Sequence, residues 1–153
     1  MENVLVYIFV VTFFTNFVLC AGFLIAWIPI SRKTYVLIWA TGFGLASVNI
    51  VINVFKDSFT SNELYWITVN VITLMVHVLA IAGFKQRSNL PVTSSLWLYI
   101  YVAVIFFLLV FFTVFSPHFG IRVGLLPFSA VLMCMASIYA IKSIDRKLRL
   151  TEI

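Results

Sequence analysis

Residues 64–84 read LYWITVNVITLMVHVLAIAGF, with Glu63 just before them and Lys85, Gln86 and Arg87 just after. No charged side chain interrupts the stretch. An α-helix of about 20 such residues crosses about 30 Å of hydrocarbon, so the stretch has the length and the chemistry of a membrane-spanning helix. Its polar residues are not scattered. Asn70, Thr73 and His77 follow one another at spacings of 3 and 4 and share one helix face. The stretch is thus a single uncharged span with one polar stripe and a basic end.

Four more apolar segments surround it, at about Val4–Ile28, Tyr35–Phe55, Leu96–Phe115 and Ile121–Ile141. Short polar breaks separate them: Pro29, Ser31, Arg32 and Lys33 after the first, Lys56-Asp57-Ser58 after the second, Ser88-Asn89-Leu90-Pro91 before the fourth. The composition agrees. Of the 153 residues, 63% are hydrophobic and only 10% charged, and the mean hydropathy is +1.14. A soluble domain carries about 25% charged residues, so too few polar side chains exist here to coat a water-facing surface. No strand alternation persists over successive segments, which argues against a barrel. The expected fold is an all-α integral membrane bundle of five transmembrane helices. Residues 1–141 form the transmembrane domain and residues 142–153 a basic tail. The first segment lacks a basic n-region and a small-residue cleavage site, and is expected to be a retained helix rather than a signal peptide.

Basic residues set the orientation. Arg32 and Lys33, then Lys85 and Arg87, then Lys142, Arg146, Lys147 and Arg149 fall on one side, against Lys56 and Arg122 on the other, an eight-to-two split. The excess marks the cytoplasmic side. The expected topology has the N-terminus outside and the C-terminus cytoplasmic, multi-pass in the cell inner membrane. The net charge of +5 is then a matter of topology, and no nucleic acid partner is expected. Trp27, Trp39, Trp66 and Trp97 lie near segment ends, where an indole ring is buried and its N–H stays wet. Pro127, just after Gly120 and Gly124, is expected to kink the fifth helix. Cys20 and Cys134 lie within apolar runs and are expected to be buried free thiols.

Catalytic signatures are missing from the sequence. The acidic residues Glu2, Asp57, Glu63, Asp145 and Glu152 all sit at termini or in loops, so no carboxylate is placed to relay protons within the membrane. No zinc-protease, phosphate-loop or paired-cysteine motif occurs. The chain is not expected to be an enzyme, nor to hold a cofactor or a metal. His77 as a metal or haem ligand has little support, because the only other histidine, His118, is expected at a different depth.

The candidate site consists of polar residues within or beside the bilayer. Asn49 and Asn53 share a face at spacing 4, and Asn70, Thr73 and His77 share another. The three asparagines fall in the outer half and His77 deeper, and both faces should point into the bundle, away from hydrocarbon. Asn16 lies in the first segment. Two readings stay open: hydrogen bonds that glue helices together, or a small polar pocket that opens outward to bind a ligand. At the outer edge His118 and Arg122, with Lys56, either snorkel to water or meet an anionic group of that ligand. In the tail, Ile141, Ile144, Leu148 and Thr151 recur at 3, 4 and 3, which opens a heptad pattern. The stripe is either the start of a signalling coiled coil or an ordinary basic stop-transfer tail.

Three stretches carry a family resemblance. They are Tyr35-Val36-Leu37-Ile38-Trp39 after the basic first loop, Ala82-Gly83-Phe84-Lys85-Gln86-Arg87 at the end of the third segment, and Gly120-Ile121-Arg122 with Ile144-Asp145-Arg146-Lys147-Leu148 around the fifth. This layout resembles the N-terminal membrane sensor region of bacterial diguanylate cyclases, whose catalytic domain carries a GGDEF motif. The resemblance spans the chain at the level of layout. It implies an extracytoplasmic N-terminus, a last helix leading into a coiled-coil linker, and a homodimer, because two catalytic domains must meet. The chain holds no GGDEF domain and stops where one would begin, so cyclase activity is not implied for it. It is then either a portion of a longer protein or a stand-alone relative. Sensors of histidine kinases share the architecture. The expected function is detection of a small amphiphilic ligand and signalling through the C-terminal helix. The alternatives are a small transporter or permease subunit, or a structural assembly subunit. A transporter is expected to show inverted repeats or paired broken helices, and only the fifth segment has an internal proline.

Overall fold

A computed structural model describes residues 2–29, 32–87, 96–118, 120–121, 123–132, 134–135 and 138. Helix accounts for 91% of them and no strand occurs among them. The helices are α1 (Glu2–Trp27), α2 (Thr34–Val54), α3 (Asn62–Arg87) and α4 (Leu96–Val110), which runs directly into a π-helical turn, Phe111–Phe115. A shorter apolar helix, α5, covers Val123–Leu132. A 3₁₀ turn at Lys56–Ser58 links α2 to α3.

The ends follow from local chemistry. Past Trp27 the chain bends at Pro29 and reverses at Arg32, which takes a left-handed φ of 54°. The Arg32 N–H then returns to the Trp27 carbonyl at 3.2 Å, satisfying one of the free carbonyls at the end of α1. Ser61 caps α3, its hydroxyl accepting the Leu64 N–H at 3.1 Å. Glu63 in the first turn of α3 and Lys85 and Arg87 in the last lie where the helix dipole favours their charges. The apolar segment 64–84 is therefore shorter than its helix, because the flanking polar residues are the caps.

The fourth segment departs from the expected uninterrupted helix. After Val110 the coil widens, and the Ser116 N–H bonds five residues back to the Phe111 carbonyl at 3.0 Å. Pro117 follows at once. It disfavours helical backbone at Ser116 and offers no donor, so the helix closes on wider bonds instead of continuing.

Successive helices run antiparallel. The helix α2 lies between α1 and α3 and packs extensively against both, while α3 meets α4 and the π turn over a smaller area. On the α1 side, Phe23 stacks on Phe43 with ring centres 5.6 Å apart. On the far side of α3, Leu74 forms a core with Ile105, Leu109 and Leu126. The Tyr101 hydroxyl of α4 donates to the Ser129 carbonyl of α5 at 3.0 Å.

Most of the remaining surface is apolar. In the most apolar window of α1 no residue is buried, and Tyr7 and Ile25 stand 70% and 72% exposed. An apolar surface this extensive is far beyond the patches that a water-soluble monomer shows. Four helical spans, Val6–Trp27, Thr34–Val54, Asn62–Arg87 and Leu98–Phe115, are long and apolar enough to cross a membrane. The expected burial of both thiols needs correction: Cys20 is half-buried and Cys134 exposed. Hydrocarbon solvates an outward thiol about as well as a protein interior does, so an apolar run does not predict which way its cysteine faces.

Candidate functional site

The hairpin of α2 and α3 fixes which residues face each other. The antiparallel hairpin brings Gly42 to Leu79, Asn49 to Thr73, and Asn53 to Tyr65. The result is a polar seam along an otherwise apolar interface.

Each link in the seam has a defined direction. The Asn49 side-chain amide donates to the Thr73 hydroxyl at 2.9 Å, and that hydroxyl donates onward to the Val69 carbonyl at 2.8 Å. One turn further along α2, the Asn53 amide donates to the Asn49 backbone carbonyl at 2.7 Å. Its side-chain oxygen accepts the Tyr65 hydroxyl at 2.6 Å. The Nδ1 of His77 lies 2.7 Å from the Thr73 carbonyl. A carbonyl can only accept, so Nδ1 carries the proton, which in the neutral ring leaves Nε2 as the acceptor.

Two polar atoms of the seam have no partner. The Oδ1 of Asn49 and the Nδ2 of Asn70 are both buried and make no hydrogen bond. One is an acceptor and the other a donor. Asn49 bonds to Thr73, and Asn70 precedes Thr73 by less than one turn of α3. Asn70 is only 4% exposed. A buried polar atom left unpaired costs about 1–3 kcal/mol, and a hydroxyl, a carboxamide or a water that pairs with either atom recovers its share.

The end of the seam nearest the α2–α3 turn is roofed. Tyr65, itself buried, packs edge-on against Phe59 at 5.5 Å, and the Lys56 ammonium lies 5.7 Å from the centre of its ring. Beside the seam, an apolar cleft of about 400 Å³ runs between α1 and α2. Val6, Phe9, Phe13, Ile50 and Val54 line it, and Asn53 is the polar residue in its wall.

Of the expected site residues, Asn49, Asn53, Thr73 and His77 join one bonded network, and Asn70 is buried next to it. His118 lies apart, exposed beyond the π turn, with its backbone N–H 3.4 Å from the Phe112 carbonyl. Asn16 bonds within α1, its amide donating to the Thr12 carbonyl at 2.8 Å. Arg122 and the tail residues Ile141, Ile144, Leu148 and Thr151 lie outside the described residues. Among the described residues no three His, Cys, Asp or Glu side chains gather at one point. Tyr65 is the network member that sequence reasoning missed. No spacing in the sequence pairs it with Asn53; its long side chain reaches Asn53 only in the register of the folded hairpin. Comparison with protein-family models, with curated proteins and with solved structures returns no match.

Proposed function

We propose that the chain is a membrane sensor domain that binds a small amphiphilic molecule and signals through its C-terminal helix. In this reading five helices cross the cell inner membrane, with the N-terminus outside and the C-terminus cytoplasmic, as the eight-to-two split of basic residues supports. The carrying observation is the pair of buried, unbonded polar atoms Asn49 Oδ1 and Asn70 Nδ2, in a seam whose member Asn53 also borders an apolar cleft. An apolar tail suits the cleft and a hydroxyl or amide head suits the two atoms. His118 and Arg122 belong to the outer rim. The output passes along Ile141, Ile144, Leu148 and Thr151 into a parallel homodimer, toward a partner such as a diguanylate cyclase domain.

A transport or assembly subunit is the second reading. It draws on the bonds that already satisfy most of the seam, Tyr65 to Asn53 and Asn49 to Thr73 between the helices, which is what helix glue requires.

The test joins ligand to output. With Cys20 and Cys134 replaced by Ala, single cysteines at Ile144 and Leu148 are cross-linked in native membranes, with and without medium-chain alcohols and amides. The sensor reading expects cross-links at both positions and a yield that changes with the amphiphile, and a loss of that change in Asn70→Leu. Absence of cross-links at both positions, while control sites succeed, moves the assignment to transport.

A further inference from the structure

At the end of the bundle opposite the polar seam, Trp39 is the centre of an aromatic cluster. Phe23 meets it edge-on at 5.4 Å, as do Tyr35 at 5.9 Å and Phe84 at 5.4 Å. Its ring walls a second cleft, of about 260 Å³, that α1, α2 and α3 form together. Phe43, Val76 and Ala80 line it along with Phe23, Trp39 and Phe84. No charged side chain lines it.

The rim of this cleft is cationic. The Arg87 guanidinium sits 5.7 Å from the centre of the Trp39 ring. A guanidinium stacked on an indole keeps its in-plane N–H donors directed outward, in the fork that matches a phosphate. Arg32 stacks likewise on Trp27 at 5.8 Å, and Lys33 is exposed at the start of α2. The antiparallel order brings the end of α1, the start of α2 and the end of α3 to the same side of the molecule, so these charges and the cleft share one membrane face.

We propose that this cleft is a binding site for an anionic phospholipid of the adjoining leaflet, with an acyl chain against Trp39 and the phosphate on Arg87. The charge of the rim selects the headgroup, and the apolar, open bore takes a chain and not a polar solute. The site is separate from the Asn49–Asn70 seam and does not depend on the role of that seam.

Trp39 itself reports occupancy. The full chain, with Trp27, Trp66 and Trp97 changed to Phe, is reconstituted in phosphatidylcholine vesicles. A small equal fraction of brominated phosphatidylglycerol or brominated phosphatidylcholine is then added, and quenching of Trp39 is measured. Attraction of an anionic lipid to one basic residue corresponds to about a fivefold preference, so phosphatidylglycerol should quench about fivefold more effectively. In Arg87→Gln the preference for phosphatidylglycerol should fall severalfold, and Ala80→Phe, which fills the bore, should weaken quenching by both lipids, with helix content unchanged by circular dichroism. Equal quenching by the two lipids in the unaltered cleft overturns the proposal. So does quenching by neither, which means that protein covers the cleft, and so does stronger quenching by a brominated free fatty acid, which reassigns the site to a free amphiphile.

Discussion

A methyl group at position 83 has nowhere to go: a Cβ built there falls inside the indole of Trp39. The ring belongs to a cluster of four neighbours and cannot step aside alone. Gly83→Ala is therefore expected to destabilise the protein by about 1–3 kcal/mol, the usual range for overpacking. Gly22 has open space around its Cβ position, and Gly22→Ala should be neutral or stabilising, since Ala is the better helix former by roughly 1 kcal/mol. Thermal unfolding in micelles, followed by circular dichroism, checks both; equal effects refute the packing account. Residues 82–84 read in sequence as one more small-residue helix end. The need for glycine there arises from a tryptophan over forty positions away, and nothing local encodes it. The faces of Asn49, Asn53, Asn70, Thr73 and His77 were legible, because helical spacing alone decides them. Their partners were not, since those depend on the register of the hairpin.

That register belongs to α2 and α3 as a pair. Two side-chain bonds set it, Asn49 to Thr73 and Tyr65 to Asn53, and they lie about two helical turns apart on α3. Interhelical bonds in membrane proteins average about 0.6 kcal/mol and reach about 1.7 at most. A double-mutant cycle with Asn53→Leu and Tyr65→Phe should return a coupling in that range, measured by unfolding in mixed micelles. Additive effects would show that the two groups do not depend on each other. The helices themselves were readable from hydropathy and length, because a span must satisfy its backbone internally whatever surrounds it. The π turn was not readable. Phe111–Phe115 is as apolar as the helix before it, and only Pro117, outside the segment, betrays that regular coiling stops.

For the whole molecule, the proposed topology makes opposite demands on two loops. Cysteines placed at 86–90 should be labelled from the cytoplasm only, and cysteines at 57–61 from outside only, by membrane-impermeant maleimide in intact and in opened cells. Labelling at 86–90 from outside intact cells reverses the orientation. The two halves of the molecule are held unequally, since α2 has a neighbour on each side while the long flanks of α1 meet no other described helix of the chain to a comparable extent. The apolar window of α1, with no buried residue, packs on α2 along one side and turns its other flanks to the solvent. Insertion and association are separable stages for such a helix, and the N-terminus leaves the ribosome first. In the proposed membrane arrangement α1 can therefore settle in lipid without a helical partner, and the later helices assemble onto a span that does not wait for them.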